Sequence, residues 1–218
     1  HLEDIYDWTN WEYLQEDDTY NKLSKYIDRF IVSTENKEIC SIAKRYGASV
    51  PFVRPKYLAK DNASMIDVIL HAIKYLEKQG EYYDLIMLLQ PTSPLRVSYD
   101  IDKSVELLFS KKAQAIVSVC KAEYHLHWSN ILPRDNCMKN FIKPRIANKN
   151  RQYLPLFYRL NGAIFLTYCN YLKDKRTFFG KKTYAYIMPL VRSVDIDDEI
   201  DFYFAEFFIY MGIVSDII

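Results

Sequence analysis

The chain has 218 residues, 50% of them hydrophobic and 26% charged, with a formal net charge of +1. That suffices for one good-sized core, so one domain with an appendage is the expectation. A balanced charge with no basic stripe excludes an electrostatic nucleic-acid binder, and no apolar run approaches the ~18 residues of a membrane span. The acidic opening HLEDIYDWTN lacks a signal-peptide core, so a soluble cytoplasmic protein is expected. Cys40, Cys120, Cys137 and Cys169 show no C-x-x-C spacing, which reads as reduced thiols and not a zinc site.

In chain order, residues 1–22 mix aromatics and acids and fit no strand or helix pattern. DRFIVST at 28–34 is a short β-rich run. In NKEICSIAKRYG, Ile39, Ile42, Ala43 and Tyr46 recur at helical spacing, with Gly47 as the stop. ASVPFV reads as a second short strand. Asp61, Asn62 or Ser64 can cap a helix whose apolar face is Ile66, Ile69, Leu70, Ile73 and Leu76, ending at Gly80. DLIMLLQ is a continuous apolar run, as in a strand covered on both faces. VSYDIDKSVELLFSKK predicts the next helix and QAIVSVC the next strand. After Cys120 the rhythm breaks: residues 122–158 carry aromatics, prolines and charges without a helical period. They predict hairpins or a projecting arm, apolar enough to need a cover, for which a second copy of the chain is the economical candidate. LNGAIFLTY and KTYAYIMPL are strands, and DDEIDFYFAEFFIYMGI is a closing helix with aspartates at its start. The βαβα rhythm predicts an α/β fold with a mostly parallel sheet and helices on both faces.

Three stretches carry chemistry. LLQPTSPLR, Leu88 to Arg96, sits where ligands bind in open α/β sheets, beyond a strand's carboxyl end. Pro91 and Pro94 fix φ and remove two donors, while Gln90, Thr92 and Ser93 supply polar groups. The plainer alternative is a strand-to-helix turn with a capping serine. In SVDIDDEIDF, Asp195 and Asp197 alternate on extended backbone and so share a face. Paired carboxylates suit Mg²⁺ shared with substrate phosphates, or they are the acids of a helix N-terminus. Arg54 follows a strand directly and is either a ligand-edge group or an exposed surface arginine. His125 and His127 form H-x-H with no third ligand nearby, which favours arm packing over a metal.

Taken together, KYIDRFIVST, the R-P-x-x-L-A-x-D-x-A stretch at Arg54 to Ala63, LLQPTSPLR, YRLNGAIF and SVDID resemble the acylneuraminate cytidylyltransferases. These are the synthetases of CMP-sialic acids and of their legionaminic and pseudaminic relatives. The resemblance runs from about residue 24 to the end. It implies a Rossmann-like α/β domain over 23–218 that dimerises through an inserted arm at about 122–158. It also implies transfer of CMP from CTP to the anomeric hydroxyl of a sialic-acid-type nine-carbon sugar, with release of pyrophosphate. Arg54, Ala63 and Ser64 match cytidine-binding positions. Gln90 matches a catalytic residue near sugar and ribose. Arg159, Asn161, Phe165, Phe178 and Phe179 match the sugar pocket, the phenylalanine pair placed to hold an acetyl group and the arginine to pair the sugar carboxylate. Arg151 and Gln152 match arm residues that approach the partner's site, and Asp195 and Asp197 match Mg²⁺ ligands.

One departure stands out. Family members open with an apolar strand and a glycine-rich loop bearing arginine and lysine, which grips the triphosphate. Residues 1–22 hold one lysine, no arginine and no glycine. Three alternatives follow: a chain whose N-terminal piece lies elsewhere, a homologue that binds without catalysing, or another segment supplying the grip. A smaller departure is Asp198, where the family more often has threonine.

Overall fold

The structure, a computed structural model, describes residues 24–60 and 62–214, apart from the side chains of Ala147 and Arg151. The expected atypical segment 1–22 and the possible cap Asp61 lie outside the described residues.

Four strands form one sheet: β1 (Leu85–Leu88), β2 (Ala115–Lys121), β3 (Tyr158–Tyr168) and β4 (Thr183–Ile187), in the order β1-β3-β2-β4. β2 and β4 run parallel, while β3 is antiparallel to both β1 and β2. Three strands therefore share one direction and β3 alone is reversed. The mostly parallel rhythm holds for β1, β2 and β4. The YRLNGAIFLTY strand enters the sheet backwards because residues 122–157 return the chain to the edge where β2 ends, so that Tyr158 pairs with Lys121. The reversal has a consequence for the site: the start of β3 lies at the edge where the other three strands end.

DRFIVST and ASVPFV are shorter than their patterns implied. They meet in a single parallel bridge, Ile31 to Ser49, joined by Val32 N–H donating to the Ser49 carbonyl at 2.9 Å.

The helices are α1 (Lys37–Arg45), α2 (Met65–Lys78), α3 (Ser98–Ser110), the single turn α4 (Pro144–Ala147), α5 (Cys169–Lys175) and α6 (Glu199–Tyr210). Asn36 caps α1 by accepting from Glu38 and Ile39 N–H at 2.7 and 3.3 Å. Of the cap candidates for α2, Ser64 is the one used, accepting from Ile66 N–H at 3.2 Å. Among the described residues no helix is long and apolar enough to cross a membrane.

Period-two alternation distributes the strand side chains between two cores. Leu85, Met87, Ile116, Ile164 and Leu166 face α3, packing on Ile101, Val105 and Leu108. Ile86, Leu88, Val117 and Phe165 face the opposite side, against Ile69 and Ile73 of α2 and Cys169 and Leu172 of α5. The sheet is thus covered on both faces, as the unbroken apolar run of β1 requires. Each fully buried aliphatic side chain contributes about 1.5–3 kcal/mol. A third small cluster, Leu95, Ile196 and Ala205, fastens α6 to the loops at the strand ends. All four cysteines are free thiols; Cys40, Cys120 and Cys169 are buried and Cys137 is exposed.

The arm is exposed along much of its length, with Tyr124, Ile131 and Tyr153 at 83%, 91% and 73% of full exposure. His125 and His127 pack at its base against Trp128 and Phe157, with centroids 5.0–5.4 Å apart. His125 Nε2 lies 3.0 Å from the Pro155 carbonyl. This is the packing role expected of H-x-H. Among the described residues no cluster of three or more His, Cys, Asp or Glu could hold a metal.

Candidate functional site

The site is built around a break in the β2–β3 ladder. Val119 pairs with Leu160 and Val117 with Phe165, so residues 161–164 stand opposite Ser118 alone. Such a bulge bends the strand and re-aims its residues. The Ser118 hydroxyl stitches it together, accepting from Ile164 N–H at 2.7 Å and donating to Asn161 Oδ1 at 2.6 Å. At the crest sits Gly162, with φ +72. A Cβ there would fall 2.7 Å from Gln90 Oε1, 2.8 Å from Ser93 Oγ and 3.6 Å from Asp195 Oδ1. Only glycine tolerates this conformation and this crowding. Three groups from three distant stretches therefore converge on one point: Gln90, Ser93 and Asp195.

The LLQPTSPLR loop is held from within. Its prolines remove donors, leaving carbonyls to be satisfied by side chains. Arg96, only 8% exposed, donates to the carbonyls of Gln90, at 2.8 Å, and Ser93. The Ser93 hydroxyl is spent on the Asn161 carbonyl at 2.8 Å and lies 3.5 Å from Asp195 Oδ1. That bond, not a helix cap, is what the serine does.

SVDID is an extended loop and not a strand. The Ile196 N–H donates to the Thr92 carbonyl at 2.8 Å and its side chain is buried, so Asp195 and Asp197 flank it outside the core. Asp198 has a separate duty. Its carboxylate caps α6, accepting from Ile200 and Asp201 N–H at 2.9 and 3.1 Å, with Asp201 bonding back. Threonine, the residue expected from the resemblance, is also a capping residue, which accounts for the exchange.

Asn161 is fully buried. Its amide nitrogen donates to Ser193 Oγ at 2.8 Å, and Ser193 Oγ donates to the Pro189 carbonyl at 2.8 Å. It thus ties β2, the Gln90–Arg96 loop and the Asp195 loop together and is not itself exposed. Phe165 and Phe178 are likewise in the core, 6% and 2% exposed, with ring centroids 5.3 Å apart. They face inward because Phe165 falls on the α2 side of β3. Of the pair expected to hold an acetyl group, only Phe179 is open, at 55%.

Arg159 opens onto the edge but is already paired. Its guanidinium holds Glu123 through Nε at 3.0 and 3.2 Å and Nη2 at 2.6 Å. It also donates to the Ser193 carbonyl at 3.1 Å. The hydrogen bond from Arg159 holds the Glu123 carboxyl below the usual carboxylate range, and the same bond raises the arginine. Arg54 is paired too, with Glu35; burial pushes that carboxyl up, but bonds from Arg54 and its own backbone outweigh this and leave it lowered. Ala63 and Ser64 line an open groove of about 610 Å³ along α2 with Asp67 and His71, apart from Gln90 and Asp195. Gln152 is exposed in a turn of the arm, and the Arg151 side chain lies outside the described residues.

Glu35, Glu123, Ser118, Ser193 and the buried pair of Asp100 with Arg192 are absent from the sequence reading. Ser118 carried a signal, a lone hydroxyl inside the apolar run QAIVSVC. The others did not, since each depends on a partner at least 19 residues away.

No family model matches the chain. Individual proteins do. Post-translational flagellin modification protein B of Campylobacter coli is 31% identical over 193 residues, covering 86% of this chain and 80% of that one. The CMP-N,N'-diacetyllegionaminic acid synthase of Legionella pneumophila is 28% identical, over 82% of this chain and 77% of that one. The N-acylneuraminate cytidylyltransferase of Escherichia coli is 34% identical over 82% of this chain, and 41% of that longer protein. The chain belongs to the acylneuraminate cytidylyltransferase family. It is a nucleotidyltransferase-type enzyme by that membership. Solved structures agree on the fold alone. The 4-diphosphocytidyl-2C-methyl-D-erythritol synthase of Anaerococcus prevotii superposes with a TM-score of 0.58 at 15% identity, covering 91% of this chain and 85% of that one. A CMP:2-keto-3-deoxy-manno-octonic acid synthetase gives 0.57 at 10%, with the same coverage. The Rossmann-like α/β reading therefore stands, with the reversed β3 as its local feature. In this cytidylyltransferase the NGA motif is the bulge that gathers the site.

Proposed function

We propose that this cytidylyltransferase transfers CMP from CTP to the anomeric hydroxyl of a sialic-acid-type nine-carbon sugar. The observation that carries the reading is the convergence of Gln90, Ser93 and Asp195 on Gly162, at the sheet edge that also presents Arg159. The anomeric hydroxyl gives up its proton to water and its oxygen attacks the α-phosphorus in line; its bond to phosphorus forms as the bond to the bridging oxygen breaks, and pyrophosphate leaves. Gln90 orients the sugar and ribose hydroxyls, Arg159 receives the sugar carboxylate, and the proline-stiffened loop fixes their spacing. Arg54, Ala63 and Ser64 face the nucleotide.

Asp195 and Asp197 would hold Mg²⁺. The donor set fits: two hard carboxylates outside the core, on either side of the Ile196 peptide that bonds Thr92, and short of a full cage, leave positions for phosphate oxygens. When bound, the ion neutralises the charge that grows on the transferring and leaving phosphates. The exposed arm at 122–158, with Gln152, is the surface a second copy would cover, giving a homodimer.

The deciding experiment is pyrophosphate release from CTP plus N-acetylneuraminate with and without Mg²⁺, with Asp197→Ala alongside. Mg²⁺-dependent release that disappears in Asp197→Ala is the expected result. Binding of CMP or sugar without release would instead favour a silent homologue.

A further inference from the structure

We infer that Glu35 is a positioning residue for Arg54: it clasps one edge of the guanidinium so that the other edge is presented to the base, and so sets the preference for cytosine over uracil nucleotides. This inference rests on the functional reading above, in which Arg54 faces the nucleotide.

Both residues sit on fixed backbone. The Val32 N–H donates to the Ser49 carbonyl at 2.9 Å and the Arg54 N–H to the Thr34 carbonyl at 2.8 Å, so the two short extended runs are tied at both ends. Thr34 is buried, its hydroxyl accepts from Asn36 N–H at 3.2 Å, and Asn36 caps α1. Glu35 therefore stands between two anchored neighbours. Pro55 follows Arg54 with φ −59 and leads into a single turn whose Leu58 is buried. The freedom left to Arg54 is that of its long side chain. A ligand that has to order such a side chain binds more weakly than one that meets it already ordered.

Glu35 removes that freedom through a single oxygen. Its Oε2 accepts from Arg54 Nε at 3.0 Å and from Nη2. Burial pushes the Glu35 carboxyl up, but the bonds from Arg54 and from its own backbone outweigh this, so the clasp is a carboxylate held at both ends. Only the side-on edge of the guanidinium is used. Among the described residues the end-on edge, Nη1 with the outer Nη2 hydrogen, meets no acceptor. Arg159 differs, since its Nη1 and Nη2 also reach the carbonyls of Leu160 and Ser193. Two parallel N–H donors in one plane match two neighbouring acceptors. Cytosine offers such a pair in O2 and N3. Uracil offers O2 beside an N3–H, which would meet the guanidinium donor to donor. An arginine held in one orientation tells the two bases apart, whereas one that swings clear of the clash does not.

The test is calorimetric titration of the full chain with CMP and with UMP, in the wild type, Glu35→Ala, Glu35→Gln and Arg54→Ala. The expected result is a preference for CMP in the wild type, and an affinity for CMP about five- to tenfold lower in Glu35→Ala with that for UMP unchanged. Glu35→Gln keeps an acceptor oxygen for Arg54 and should recover most of the CMP preference. Glu35→Ala added to Arg54→Ala should change neither affinity further. The melting temperature of Glu35→Ala should match the wild type, because a part-exposed pair adds little to stability. A wild type that binds CMP and UMP alike, equal losses for both in Glu35→Ala, or a further loss on the Arg54→Ala background overturns the inference and leaves the pair as a tie between two loops. A wild type that binds neither nucleotide overturns the nucleotide reading of Arg54, and this inference with it. The affinities need no turnover, so missing pyrophosphate release counts against the transfer reading alone.

Discussion

Two arginine–carboxylate pairs lie at the same end of the sheet and share the same chemistry, yet one is buried and the other is about one-third exposed. Arg192 and Asp100 are 2% and 0% exposed, joined by two bonds of 3.0 Å, with the Tyr186 hydroxyl donating to the same carboxylate at 3.0 Å. Asp100 also accepts from Val97 N–H at 3.1 Å, which seats the start of α3. Every acceptor site is used, and the pair clamps α3 to β4 and to the loop leading into SVDID. Arg159 and Glu123 are about one-third exposed. Burial makes the first pair unable to exchange, because parting it strands a charge in the core. Partial solvation leaves the second pair worth little to stability.

The comparison can be broken most forcefully at Asp100. Asp100→Asn should cost about 3–5 kcal/mol, the usual penalty for orphaning one member of a buried pair. Urea unfolding measures it, and a cost under 1 kcal/mol would remove the distinction between the pairs. Next comes the bulge that both pairs flank. Gly162→Ala should lose about 1–3 kcal/mol from the left-handed backbone alone. Turnover should fall more than stability implies, since the new methyl displaces Ser93 Oγ or Gln90 Oε1. A melting curve and a kcat measurement on the same variant separate the two effects.

Glu123→Gln should move global stability by less than about 1 kcal/mol, as exposed pairs do, whatever it does to substrate binding. The smallest effect is in acid. Glu123 and Glu35 are both lowered in the folded protein. Each therefore stabilises the fold above its unfolded carboxylate value, and that contribution is lost as pH falls through the folded value. Glu123→Gln should flatten the acid limb of the stability–pH curve by lowering its neutral side slightly and leaving its most acid end unchanged, as read by denaturant titrations across that range. On the alkaline side, burial and Asp100 raise the Tyr186 hydroxyl. Its stabilisation is present below the usual tyrosine range and lost as pH rises, and Tyr186→Phe should remove that loss.

The helices were legible because their signals are local. A cap, an apolar stripe and a stop lie within one stretch of chain, and Ser64, the Ile69–Leu76 stripe and Gly80 behaved as written. The strand runs of β1, β2 and β4 were legible for the same reason. Direction was not, because the reversal of β3 depends on where the arm delivers the chain. The site divided similarly. Gln90 and Asp195, which meet at Gly162, lie in motifs visible in the sequence. Which way Asn161, Phe165 and Phe178 point could not be read there, since inward or outward on β3 depends on a bulge that only its partner strand reveals.

The sequence by itself determined the covalent inventory of this cytidylyltransferase: two rigid prolines, a glycine between asparagine and alanine, an aspartate pair ahead of a helix. Tertiary structure alone decided who meets whom. Glu123 with Arg159 is separated by 36 residues, Asp100 with Arg192 by 92, and Ser93 with Asp195 by 102. Contacts at such distances are set by sheet order and register, which are properties of the packed core and not of any local stretch.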